Sequence, residues 1–142
     1  MNVYEDFYEY IADEEKVEIF VYGTLKSTGG KNEILQQVTV NDDFISVSSV
    51  EMYPMFVEDS YNFPFPMIVN KPGYGNFIDG ELWTVQKSQL NILDAFESSL
   101  YKRGSIDVEF ENHIYKDVLC YFKNGDMSEE ELEKEKLIDI WE

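Results

Sequence analysis

Ile19-Phe20-Val21-Tyr22-Gly23-Thr24-Leu25 is the stretch from which the rest of the chain can be read. Ile19 to Tyr22 are apolar or aromatic and run directly into a glycine and a small hydroxyl residue. An apolar run without alternation fits a strand covered on both faces, and therefore a central one. Gly23 then releases the backbone, and Ser27-Thr28-Gly29-Gly30 continues as a loop. Residues that leave a strand end can turn successive N–H groups into one concavity, a nest for an anionic or carbonyl oxygen. A glycine after a strand is most often only a turn, so on the residues alone both readings of Gly23-Thr24-Leu25 stand. The glycine spacing fits neither a Walker loop nor a dinucleotide fingerprint.

Outward from this strand, which should run from Lys16 to Tyr22, the chain alternates short helices with strands. Upstream, Tyr4, Phe7, Tyr8 and Ile11 fall on one helical face, so residues 1–16 read as an acidic amphipathic segment that packs on the body or docks a partner. Downstream, residues 32–37 form a helical stub and residues 44–53, rich in β-branched and aromatic side chains, a strand. Pro54, Pro64, Pro66 and Pro72 break residues 54–76 into short strands and turns. Residues 77–85 alternate as a strand, with Gly80 marking a bulge or a close backbone approach. Residues 103–110 and 114–122 read as a hairpin turning at Glu111-Asn112-His113. Ser128 and Glu131 form a capping box, with Met127 and Leu132 as its staple, for an acidic helix over 127–142. The sum is one α+β domain with a strongly curved sheet or small barrel and flanking helices.

A second informative stretch is Leu93-Asp94-Ala95-Phe96-Glu97, on a helix that Ser88 could cap and that runs to about Ser98. At about 100° per residue, Glu97 points between Leu90 and Leu93, the side chains that face the core. A carboxylate there is partly desolvated, which raises its pKa and suits proton transfer near neutral pH. The competing reading is a helix-end glutamate whose head reaches solvent or caps a neighbouring backbone group. Other chemistry has little support. His113 is the lone histidine and lies in a hairpin turn, which disfavours Ser-His-Asp and Cys-His arrangements. Cys120 and His113 are too few for a zinc site, and no calcium-loop spacing occurs.

The chain has 142 residues, enough to bury a core without staples, and a net charge of −18. Residues 1–16 carry six acids and one lysine, and residues 126–142 eight acids and two lysines. Two solvated acidic helices explain this most simply; a surface that mimics nucleic-acid charge is the sharper alternative. Direct binding to a phosphate backbone is disfavoured, because that needs lysine and arginine. Cys120 has no partner for an internal disulfide and sits in an apolar strand. With no signal-peptide pattern at the N-terminus, this points to the reducing cytoplasm. No apolar run approaches the roughly 20 residues of a membrane span.

Several pieces together resemble the gamma-glutamylcyclotransferase-like family. Phe20-Val21-Tyr22-Gly23-Thr24-Leu25-Lys26 is similar to its opening signature, and Tyr53-Pro54 to its central element. Gly80-Glu81-Leu82-Trp83-Thr84-Val85 resembles its Gly-Glu-Leu-aromatic strand, and Leu93 to Glu97 the helix that carries its catalytic glutamate. Tyr101-Lys102-Arg103 is similar to the Tyr-x-Arg that follows. The match spans about residues 17–123, and the motif order and size lie closer to the gamma-glutamylamine branch than to the glutathione-specific one. The resemblance implies a small mixed β-barrel with one pocket, in which the α-amine of a gamma-glutamyl substrate attacks its own γ-carbonyl, releases an amine and leaves 5-oxoproline. It assigns Glu97 as general acid/base and the backbone of Tyr22, Gly23, Thr24 and Leu25 as substrate-binding, with no metal and no organic cofactor. The chain departs from the family pattern at Ser98-Ser99-Leu100, which lacks the proline and longer spacing common there. The alternative function is a non-catalytic acidic binding or inhibitory protein on the same fold, meeting a protein partner through its acidic termini.

Overall fold

The computed structural model describes residues 16–40, 43–59 and 63–141. The amphipathic segment expected over residues 1–16 lies outside these, apart from Lys16, which opens strand β1 (Lys16–Val21). The order that follows is α1 (Asn32–Val38), β2 (Ile45–Tyr53), β3 (Met55–Glu58), β4 (Phe65–Ile68), β5 (Asn76–Gln86), α2 (Leu90–Glu97), β6 (Tyr101–Phe110), β7 (His113–Lys123) and α3 (Glu129–Glu133). Five strands close a barrel in the order β1-β5-β2-β6-β7, and β3 pairs with β4 as a separate hairpin. The expected α+β barrel with flanking helices is therefore what forms.

Closure depends on β1. It runs antiparallel to β5, from Lys16 opposite Gln86 to Val21 opposite Glu81, and parallel to β7, with Ile19 opposite Leu119 and Phe20 opposite Cys120. Its period-two alternation sends Phe20 into the barrel with Val47, Ile78, Leu82, Val118, Cys120 and Phe122. Ile19 and Val21 face outward, where α1 contributes Leu35 and Val38 and α2 contributes Leu90 and Leu93. Both faces are covered, which is why the run shows no polar alternation. Gly80 lies where β5 meets β1: a Cβ there would fall 2.5 Å from the Val21 carbonyl oxygen and 2.6 Å from the Phe20 ring. Close approach, one of the two readings of that glycine, is its reason. On the β3–β4 hairpin, Met55 and Ile68 join the barrel interior, while Phe56, Phe65 and Met67 meet Met127 and Leu132.

Two local expectations need correction. Ser88 does not cap α2; it lies inside a 3-10 turn, Lys87–Gln89, and Gln89 precedes the helix without a side-chain cap. Strand β5 runs on to Gln86, so the chain needs that extra tight turn before the helix can start. The C-terminal helix is also much shorter than residues 127–142. Its capping box forms, with Glu131 N–H donating to Ser128 Oγ and Ser128 N–H to Glu131 Oε1, but the helix ends at Glu133. Beyond it the chain is a strap bonded to the barrel: Ile138 N–H donates to the Met55 carbonyl, Asp79 N–H to the Asp139 carbonyl, and Lys26 Nζ to the Trp141 carbonyl. Leu137 packs with the hairpin cluster and Ile138 against the barrel core. A continued helix carrying Glu133 and Glu135 near its C-terminus would set negative charge against the helix dipole, and the tertiary contacts win instead.

Candidate functional site

At the end of β1, Tyr22, Gly23, Thr24 and Leu25 line one wall of a cleft; Pro66, Glu97, Tyr101 and Tyr121 line the rest. All five residues singled out from the sequence thus meet in one place. The loop after β1 is tightly tied, and its bonds use carbonyls. The Gly23 carbonyl accepts from Lys26 N–H, the Thr24 carbonyl from Lys31 N–H, and the Leu25 carbonyl from Asn32 Nδ2. The N–H groups of Gly23, Thr24 and Leu25 take no part in those bonds. A loop that engages its acceptors inward leaves its donors for a guest oxygen. Glu81 holds the far side of this loop. Buried on β5, it accepts from Ser27 N–H at 2.7 Å, from Ser27 Oγ at 2.6 Å and from Trp83 Nε1 at 3.1 Å. Gly23 itself lies against Pro66: a Cβ would stand 2.8 Å from Pro66 Cγ, so any larger residue would push the proline wall.

Glu97 is the last residue of α2, and Leu93, fully buried one turn earlier, fixes that face of the helix. No hydrogen bond from the described residues reaches the Glu97 carboxylate. Burial raises its pKa from 4.5 to about 8. Of the two readings of its position, partial desolvation is therefore the one that the fold realises. The next residue, Ser98, has φ 57° and ψ −160°, a region that side chains other than glycine's rarely occupy. The short Ser98-Ser99-Leu100 link is thus tight: the chain bends sharply to pass from helix to β6, and Asn124 ties the bend down through Ser99 and Leu100 carbonyls.

Three phenols surround the carboxylate, and each has its proton committed. Tyr22 donates to the Tyr121 carbonyl at 2.5 Å, Tyr101 to the Pro66 carbonyl at 2.8 Å, and Tyr121 to Asp94 Oδ1 at 2.6 Å. Burial is the first cause pushing all three pKa values up, so they stay neutral donors. Burial likewise pushes the Cys120 thiol up, inside the barrel. Asp94 also pairs with Arg103 at 2.9 Å. Asp94 stands one turn before Glu97, so its bonds to β6 and β7 fasten the end of the helix that carries the acid/base candidate. Among the described residues no group of three or more His, Cys, Asp or Glu gathers in a way that could hold a metal ion.

Tyr101, Tyr121, Asp94 and Pro66 were not singled out as site residues from the sequence. Part of the signal was present. Tyr101 and Arg103 are two apart on a strand and so share a face. Tyr121 stands directly opposite Arg103 in the β6–β7 register, and that pairing had to be known before Asp94 could be connected to either.

A backbone cradle at one strand end and a partly desolvated carboxylate thus share one cleft of a five-stranded barrel. Residues 19–141 match the family model described as gamma-glutamyl cyclotransferase, AIG2-like, and the chain belongs to that family. Gamma-glutamylaminecyclotransferase C of Danio rerio is 35% identical over 95 residues, which cover 64% of this chain and 61% of the fish protein. Gamma-glutamylaminecyclotransferase of Homo sapiens is 30% identical over 95 residues, again covering 64% of this chain and 61% of that protein. The matched stretch thus spans about three-fifths of these relatives. The crystal structure of an AIG2-like protein from Mus musculus superposes with a TM-score of 0.76 over 90% of this chain and 89% of that one, at 23% identity, a likeness of fold. No described helix is long and apolar enough to cross a membrane.

Proposed function

We propose that the protein is a gamma-glutamylamine-type cyclotransferase with Glu97 as its general acid/base. The observation that carries this reading is a largely desolvated carboxylate, its pKa raised to about 8 and no hydrogen bond from the described residues reaching it, in the same cleft as the Gly23 to Leu25 cradle. The α-amine of a gamma-glutamyl compound stands beside a free carboxylate and titrates above the roughly 7.7–8.0 of a peptide N-terminus, so the raised pKa of Glu97 brings proton acceptor and donor much closer than an ordinary carboxylate would, which favours proton-transfer catalysis. The cradle N–H groups hold the γ-carbonyl and stabilise the oxyanion as the α-amine nitrogen bonds to the γ-carbon. The bond from that carbon to the leaving amine then breaks, and the proton held by Glu97 passes to the departing nitrogen. Folding the substrate back on itself supplies the entropic part of the rate. The three phenols orient and exclude water without titrating. The burial of the lone thiol Cys120 in the barrel supports action in a reducing cytoplasm.

The test is release of 5-oxoproline from gamma-glutamyl amides by wild-type protein and Glu97→Gln. The substitution keeps volume and removes the proton carrier, so the rate should fall roughly a hundredfold or more. The wild-type rate should rise with pH through about 8, as Glu97 loses its proton. Wild-type turnover in Glu97→Gln would remove Glu97 from the mechanism.

A further inference from the structure

A second cavity, of about 110 Å³, adjoins the cleft and shares Thr24, Glu97 and Tyr101 with it. Its remaining walls are Lys31, Phe63, Phe65, Phe96, Ser98 and Leu100. We infer that this cavity is the subsite for the leaving amine, and that it selects an apolar, preferably aromatic, amine whose far end carries no positive charge. The inference rests on the cyclotransferase reading and specifies its substrate.

Continuity carries the first part. Glu97 must reach both the attacking α-amine and the departing nitrogen, so the two halves of the substrate have to diverge at its carboxylate. Two cavities do meet there, one under the cradle and the other running beneath aromatic rings. The composition of the walls carries the second part. Phe63, Phe65, Phe96 and Leu100 give the cavity an apolar side with no hydrogen-bonding side-chain atoms, so an apolar leaving group laid along it gains from burial what a hydroxyl- or amide-bearing one does not. Phe63 and Phe65 stand ring to ring with centroids 6.1 Å apart, and Phe65 lies 6.4 Å from the Tyr101 ring, an aromatic series that suits a third ring. Charge carries the third part. Lys31 is the sole cation among the described residues that line the cavity, and its main chain is fixed beside the cradle by its bond to the Thr24 carbonyl. A distal ammonium on the leaving amine meets like charge there; a distal carboxylate meets a partner. In a chain of net charge −18, which otherwise draws cations, this lysine gives the subsite the opposite preference.

The experiment compares gamma-glutamyl amides of ethylamine, phenethylamine, 6-aminohexanoate and 1,6-diaminohexane as substrates. Binding of the same amides to Glu97→Gln is measured by calorimetry. Each buried methylene is worth about a fourfold gain, so kcat/KM for the phenethyl amide should exceed that for the ethyl amide at least tenfold. The carboxylate-ended amide should exceed the ammonium-ended one by about fivefold at low salt, and less at high salt. Phe63→Ala, at an exposed position, should cut the phenethyl-to-ethyl ratio at least threefold, and Lys31→Glu should invert the preference between the two charged ends. Equal turnover of all four amides, or ratios untouched by both substitutions, would overturn the subsite while leaving the reaction standing. Binding to Glu97→Gln with the expected preferences, but no 5-oxoproline from wild type, would overturn the reaction while keeping the subsite. Neither turnover nor binding would remove both.

Discussion

At the scale of single residues, Glu97 and Ser98 hold opposite kinds of cost. The folded-state pKa of Glu97 lies above its unfolded value, so between pH 4.5 and about 8 the folded protein binds the extra proton. Stability attributable to this group is therefore highest below pH 4.5 and declines as pH rises towards 8. Glu97→Gln removes the ionisable group, and thermal unfolding should show it stabilised relative to wild type by on the order of 1 kcal/mol or more at pH 8.5. The difference should vanish near pH 4; a difference that does not change with pH would contradict the desolvation of this carboxylate. Ser98 is a backbone cost. At φ 57° and ψ −160°, Ser98→Gly should stabilise the fold by about 1 kcal/mol, after allowing for the extra freedom of glycine when unfolded. Denaturant melts of the two proteins measure it directly.

Helix α2 is the element on which the proposed chemistry depends, and it is fastened at three places. Leu90 and Leu93 bury its inner face, Asp94 reaches Arg103 and Tyr121, and Asn124 ties the bend that follows it. The Asp94–Arg103 pair is about half exposed and contributes little to stability, within about 1 kcal/mol. Its effect should appear in catalysis. Asp94→Ala should lower kcat roughly tenfold with KM within about twofold, because a misaimed proton carrier weakens the transition state more than it weakens binding. A matching rise in KM would make Asp94 a binding residue instead. The sequence made much of this element legible, since the spacing of Leu90, Leu93 and Glu97 already aimed the carboxylate inward. The Gly80 approach and the Ser128–Glu131 box were legible for the same reason: each is a short-range pattern with a single cause. Tyr121 and Pro66 were not, because what they touch is decided by strand register and by the placing of the β3–β4 hairpin. The C-terminal helix is shorter than local propensity suggests because Leu137 gains more by packing on the hairpin cluster and Ile138 by lying on the barrel.

Across the whole molecule, the strap from residue 137 to 141 binds distant parts together. It satisfies the Met55 carbonyl, Asp79 N–H and buried Lys26 Nζ in one pass. A chain truncated after Lys136 leaves these groups and the Ile138 contact uncompensated, and should lose several kcal/mol, at about 1–3 kcal/mol for each unsatisfied polar group. Chemical denaturation of the truncated chain checks this, and a loss below about 1 kcal/mol would show the strap to be dispensable. The parallel seam between β1 and β7 has a different consequence, one of timing. It joins Ile19 to Leu119, so the barrel cannot shut until nearly all the strands have been made, and loop-closure entropy must be met before that seam returns any stability. Such long-range pairing places folding among slower, millisecond-to-second barrels. The cleft draws on residues 20–25, 66, 97, 101 and 121, which are spread along that same span. The cradle is therefore made before every other part of the site and waits for them, and the site exists only once the last strand of the barrel has returned to the first.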